Sequence, residues 1–336
     1  ATFLLATNLS SGLLFALDAV LAAVFVVGAA TAYGPMRRMR VTRRVPPRGI
    51  EGEALVVDTT LVSRRAGRFL TIEEGWKGAR TRAVVPHVSP GVPVTTALVL
   101  VPQRRGHYVL ESTEIISRGT VSLFAARRRI GAPDRIVVWP KTLPLASGIL
   151  SGLLSAADAP VAGERTRAAE DFYGVRDYQR GDAPSRVHWR LSLRRRALVV
   201  REYERPRAQR LAIVLDLDRR QSRERLDAAV RAAASILRAA VDRGADVVTA
   251  AWNGEYVEHR AFESAMGWLA GVEPSGPPLA EVLRALPSLQ DRHLVVVASS
   301  TAVPPLPVHA TAILPADENP GRGALVYASD GLVAAW

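Results

Sequence analysis

Residues 174–190 (Gly-Val-Arg-Asp-Tyr-Gln-Arg-Gly-Asp-Ala-Pro-Ser-Arg-Val-His-Trp-Arg) gather the residue types best suited to chemistry in this chain. Asp177, Asp182, Ser185 and His188 are the types that hydrolases combine. No strand–turn–helix elbow surrounds Ser185, so the case for hydrolysis rests on residue type alone. Asp182 within Arg-Gly-Asp-Ala-Pro also reads as a residue that satisfies its own turn, because Gly, Asp and Pro each bend the chain for a separate reason. His188 beside Trp189 reads as a packed, hydrogen-bonded histidine. Either side of the turn is expected to be extended. From Arg176 to Arg210 there are 11 arginines against four acids, interleaved with Tyr178, Trp189 and Tyr203. Arginine pairs bidentately with carboxylates, and Arg, Tyr and Trp dominate interface hot spots. The same types can also bind phosphates and stack bases. A second cluster is Asp216-Leu-Asp218, two oxygen donors suited to a hard cation. It stands at the end of an apolar run, Leu211–Leu215, where open parallel sheets bind ligands.

The signature block resembles the domain-of-unknown-function-58 family: Gly-x-Arg-x-Tyr, then Gly-Asp, then His-Trp, then an Arg-rich stretch and a strand. The matching positions are Gly174, Arg176, Tyr178, Gly181, Asp182, His188 and Trp189, with Arg194 in the following stretch. The resemblance implies a membrane-anchored protein with a β-rich region, the signature and a von Willebrand factor A-like α/β domain. It also implies partnership with a MoxR-type AAA+ ATPase and other membrane proteins. Von Willebrand A domains hold a divalent metal on an Asp-x-Ser-x-Ser loop. By that resemblance Asp216 is the first ligand, Asp218 replaces a serine and still offers oxygen, and Arg220 replaces the second serine and cannot ligate. Two readings follow: a retained Mg²⁺-type site on Asp216 and Asp218, or a vestigial loop in which Asp216 pairs with an arginine and no cofactor is needed.

Around these candidates the chain reads as multi-domain α+β. Residues 12–34 contain one charge, Asp18, and exceed the ~20 apolar residues needed to cross a bilayer. Arg37, Arg38, Arg40, Arg43 and Arg44 follow at once and predict that this end faces the cytoplasm. The basic run follows the apolar stretch, the reverse of a signal peptide. Ala1–Thr7 is apolar and Asn8–Ser11 polar, as though an earlier helix ended there, and a helical hairpin is the expectation for the full protein. Segment 1–40 is thus the transmembrane and juxtamembrane part.

Residues 41–145 hold short β-branched runs between turns and predict a β-sandwich-like domain. Residues 146–167 are the expected linker, 168–208 the signature block, and 209–336 an α/β domain with an open, mostly parallel sheet. In that last segment strands at Leu211–Asp216, Asp246–Trp252, His293–Ala298 and Ala310–Leu314 alternate with helices at Ser222–Arg243, Phe262–Gly271 and Leu279–Leu286.

The absence of cysteine excludes disulfides, thiolate nucleophiles and cysteine zinc sites. Residues 1–210 hold 33 basic and 17 acidic residues, a net of +16, whereas residues 211–336 hold 11 and 15, a net of −4. An anionic membrane accounts for the basic half without nucleic acid, for which there is no recognised motif. The expectation is a cytoplasm-facing, membrane-anchored, non-enzymatic adaptor; the alternative is a hydrolase-like enzyme built on Asp182 and His188.

Overall fold

In a computed structural model of the chain, the structure describes residues 12–76, 79–145, 148–158, 172–178, 187–203, 209–252, 255–286, 289, 292–300, 303–307, 309–316, 325–328, 330 and 333–335. The chain divides into two compact units, residues 1–140 and 141–336.

The first described element of the first unit is helix α1, Gly12–Tyr33, 22 residues that apart from Asp18 are apolar around the helix. It is long and apolar enough to cross a membrane and almost wholly exposed. Only Gly28 and Ala32 of it are buried, and a helix so little buried has no amphipathic reason to exist in water. After a single 3-10 turn at Met36–Arg38 come ten strands: β1 (Arg40–Arg44), β2 (Arg48–Ile50), β3 (Leu55–Val62), β4 (Gly67–Trp76), β5 (Ala79–Val88), β6 (Val94–Leu100), β7 (Gly106–Leu110), β8 (Thr113–Ser117), β9 (Ala126–Ile130) and β10 (Asp134–Trp139). They form an antiparallel sheet in the order β1-β3-β6 and a larger one in the order β2-β10-β7-β4-β8-β9, with β5 beside β4. β2 and β10 run parallel, so the larger sheet is mixed. In β3 buried and more exposed residues alternate, the period of a strand with one face on a core. That core takes Val57, Leu61 and Leu98 from the smaller sheet and Ile72, Leu110 and Ile136 from the larger.

One of the five juxtamembrane arginines departs from its expected role. The Arg43 side chain is 7% exposed and pairs with the fully buried Glu74 at 2.9 Å. It also pairs with Asp134 and donates to the carbonyls of Glu111 (2.6 Å) and Ala132 (2.7 Å). Arg43 is therefore an internal tie among distant strands, because desolvating a guanidinium is tolerable only where carboxylates and carbonyls satisfy it. Arg37, Arg38, Arg40 and Arg44 remain exposed.

The second unit starts at Lys141, five residues before the expected linker. Of residues 146–167, Ile149–Asp158 form helix α2, with Ile149, Leu150, Leu153 and Leu154 buried. The apolar spacing of those four residues, one helical face, draws the segment onto the unit. The later elements are β11 (Phe172–Asp177), α3 (Trp189–Arg195), β12 (Val199–Tyr203), β13 (Arg210–Leu215), α4 (Arg223–Asp242), β14 (Asp246–Trp252), β15 (Tyr256–His259), α5 (Phe262–Gly271), α6 (Leu279–Ala285), β16 (His293–Val297), β17 (Ala310–Pro315), β18 (Leu325–Tyr327) and β19 (Val333–Ala335). A seven-stranded sheet runs β15-β14-β13-β16-β17-β18-β19. Its five inner strands are parallel, and the two edge strands are antiparallel to their neighbours.

Helix α4 has the termini its sequence calls for. Ser222 caps it by accepting from Arg225 N, and Gly244 follows it at φ 79°, the left-handed conformation favoured after a C-cap. Leu226, Val230, Ala233 and Leu237 are buried as the periodicity predicts. Val241, one turn further, is 36% exposed.

Candidate functional site

The signature block is organised by a two-stranded antiparallel ribbon, β11 with β12. Gly174 and Arg176 lie on β11, where Arg176 is in register with Val200. Gly181, Asp182 and Ser185, and with them the turn expected of this stretch, lie outside the described residues. The segment after the turn is not extended throughout. Trp189–Arg195 is helical, because His188 offers a cap: its Nδ1 accepts from Leu191 N at 3.3 Å. Arg196 ends the helix in the left-handed conformation (φ 51°). Ser192 is buried, and its Oγ accepts from Val199 N at 2.9 Å, tying α3 to β12.

With Ser192 inward, the opposite side of α3 faces outward. Trp189 is 59% and Leu193 79% exposed. They stand four residues apart and therefore form one ridge on the helix. Exposed Arg190 and Arg194 flank it. Tyr178 and Leu198 are also exposed, and a hydrogen bond from Tyr178 N to Leu198 O (2.9 Å) sets them side by side. His188 thus carries a structural bond, and Tyr178, Trp189, Arg190 and Arg194 lie at the surface.

The second cluster sits at the carboxyl end of β13. Asp216 is buried. One carboxylate oxygen accepts from Asp218 N (3.1 Å). The other accepts from Ser299 N (3.0 Å) and from the Ser299 hydroxyl. Asp216 therefore joins the ends of β13 and β16, and among the described residues no arginine pairs with it. The arginine pairs instead with Asp218: Arg220 Nε lies 3.1 Å from both carboxylate oxygens, and another guanidinium nitrogen 2.6 Å from one. The hydrogen bond from Arg220 holds the Asp218 carboxyl below its usual range against the opposing effect of burial. The loop is fixed from the far side by Gly276, whose N donates to Leu217 O (2.7 Å). A Cβ there would stand 2.7 Å from Trp252 O, so only glycine fits.

The donor set does not suit a divalent cation as it stands. Both oxygens of Asp218 are occupied by a guanidinium, and a cation on Asp216 would displace the Ser299 bonds. Among the described residues no three carboxylate or histidine side chains converge as a metal-holding group. Sequence reasoning found Asp216 and Asp218 but missed Ser299, which lies 83 residues away. The signal available was a hydroxyl just past a predicted strand end.

No curated protein matches the chain. Solved structures similar to parts of it include the CARDB domain of a Pyrococcus furiosus protein, at 10% identity over 30% of this chain and 93% of that one, with TM-score 0.23. Another is the PKD domain of an M14-like peptidase from a Thermoplasmatales archaeon, at 17% identity over 31% and 94%, with TM-score 0.21. At these scores neither likeness bears on fold or function. Residues 174–299 match the family model described as protein of unknown function DUF58, a span that contains both the signature surface and the Asp216 loop. Over that span the chain is similar to the DUF58 family.

Proposed function

We propose that this chain is a membrane-anchored adaptor that docks a partner through its signature surface and performs no chemistry itself. The observation that carries the reading is the exposed Trp189/Leu193 ridge with Arg190 and Arg194 beside it. Large exposed apolar groups next to arginine are the composition of interface hot spots. The exposed apolar α1 supports the anchor, and the arginines after it support a cytoplasmic placement of both units. The strand order of the second unit supports a von Willebrand A-like reading, and the family resemblance supports a MoxR-type AAA+ ATPase as the partner. In this reading Arg220 serves Asp218 as its counter-cation in place of a metal.

The test is recovery of partners from detergent-solubilised native membranes, read by mass spectrometry. Wild type is expected to recover an AAA+ ATPase. The Trp189→Ala/Leu193→Ser variant, with unchanged circular dichroism, is expected to bind it roughly 30-fold more weakly, the equivalent of a hot spot worth about 2 kcal/mol. Equal recovery by both would move the docking surface elsewhere. Absence of an ATPase from the wild-type sample would end the adaptor reading.

A further inference from the structure

The connection between β8 and β9, residues 118–125, lies against the C-terminal part of α1. Gly119 has φ +63°, and a Cβ there would come within 2.7 Å of Thr31 Oγ1 and 2.9 Å of Ala32 N. Backbone therefore touches helix with only a hydrogen between them. Thr120 N donates to Thr31 Oγ1 at 3.3 Å. On the helix side, a Cβ at Gly28 would stand 3.2 Å from the Phe124 ring. That ring meets Phe25 edge-on, with centroids 5.9 Å apart. The loop thus follows the helix from Ala32 back to Phe25.

This contact has a depth. At 1.5 Å per residue α1 is ~33 Å long, little more than the ~30 Å hydrocarbon core of a bilayer. Phe25 stands eight residues before Tyr33, ~12 Å along the axis. To keep the loop in water, the last two turns of α1 would have to stay there too. Those turns include Val26 (68% exposed) and Val27 (50% exposed). The loop's own side chains favour the opposite outcome, since Val121 and Leu123 are 42% and 54% exposed. Burying both sets in lipid removes both from water. Charge agrees: exposed Arg118 opens the loop, exposed Arg37 and Arg38 follow α1, and Arg128 donates to the carbonyls of Met36 (2.8 Å) and Met39 (3.3 Å). These cations stand where anionic headgroups begin.

We propose that residues 118–124 are a membrane wedge: Val121, Leu123 and Phe124 enter the acyl region of an anionic bilayer, in the leaflet at the C-terminal end of α1. The anchor then has two points of contact, a spanning helix and a loop clamped to it. The inference rests on α1 spanning the membrane, and the test separates the two.

The chain lacks cysteine, so single cysteines can be placed at will. Leu123→Cys, Leu21→Cys and Val56→Cys, each carrying a polarity-sensitive fluorophore, would be reconstituted as the full chain in phosphatidylcholine–phosphatidylglycerol vesicles. Val56 is an exposed residue of β3 that pairs with Val99. It lies six residues, ~20 Å, from Val62, the partner of Arg40. The expected result is that Leu123→Cys follows Leu21→Cys, with several-fold stronger quenching by lipid spin-labelled along the acyl chain and protection from aqueous iodide. Val56→Cys is expected to show the reverse. Should Leu123→Cys follow Val56→Cys while Leu21→Cys reports lipid, the wedge is overturned and the span survives. Should Leu21→Cys also report water, both fall. Protection of Leu123→Cys from both quenchers likewise overturns the wedge, because protein and not lipid would then cover it.

Discussion

Arg43→Met is expected to weaken the first unit by about 3–5 kcal/mol, the cost of removing one partner from a buried ion pair. The methionine fills much of the same volume, so the loss would come from what is left behind. Glu74 would remain fully buried, without its cation, and would keep Thr113 as a hydrogen-bond partner. The carbonyls of Glu111 and Ala132 would also lose their donor. Hydrogen exchange read by mass spectrometry localises the effect: amides of β1, β4, β8 and β10 should exchange roughly 10²- to 10⁴-fold faster, with those of the second unit unchanged. Protection equal to wild type would mean the cluster adds nothing.

The same variant should show a pH dependence of known sign. Burial already pushes the Glu74 carboxyl above its ordinary 4.5, against the hydrogen bond from Thr113 and the charge of Arg43. Removing Arg43 removes a lowering influence, so the folded-state pKa rises further. A carboxyl with a raised folded pKa favours the folded state through its neutral form. Its contribution is complete below the unfolded value of 4.5 and is lost as pH rises through the folded value. The deficit of Arg43→Met relative to wild type should therefore be smallest near pH 4 and should widen toward neutrality. A deficit that is constant across that range would assign the damage to lost packing.

Asp216→Ala is the second large effect, about 3 kcal/mol on the second unit. The substitution leaves the buried Ser299 N–H and hydroxyl without an acceptor and frees Asp218 N. Each buried donor so stranded costs about 1–3 kcal/mol. Exchange should accelerate at the ends of β13 and β16 and in the loop at Gly276, while α4 is less affected. Chelator is expected to leave wild-type stability unchanged, since Arg220 already neutralises Asp218. A rise in unfolding temperature on adding millimolar Mg²⁺, lost in Asp216→Ala, would instead assign the loop to a metal.

How much of this was legible depended on how local the signal was. Helix α4 could be read to within one residue at each end, because Ser222, Gly244 and the apolar spacing between them are local signals. Asp216 at a strand end was legible for the same reason. Helix α3 was not, since Trp-Arg-Leu-Ser-Leu-Arg-Arg buries chiefly Ser192 and so carries no apolar period. Its start depends on a histidine cap, a residue type outside the usual capping set. Helix α2 was legible in part: the apolar run Ser147–Ser155 reads as a segment that packs locally, but the glycines and serines around it resemble a linker. Arg43 was hardest. In sequence it stands among four exposed arginines, and nothing nearby distinguishes it. Its partners lie 31 to 91 residues downstream and were chosen by the fold.

The parallel pairing of β2 with β10 joins the second strand of the first unit to its last: Arg48 faces Val137, Ile50 faces Trp139, and the Arg48 guanidinium stacks 5.1 Å from the Trp139 ring. Synthesis reaches α1 before the strands, so an anchor would be available to the insertion machinery long before the unit it carries could close. Until residue 139 has left the ribosome, the larger sheet lacks its β10 seam and Arg43 lacks Asp134. Contacts of such long sequence separation form slowly. Biogenesis would thus be ordered: membrane insertion first, and closure of the tethered unit in a single late step.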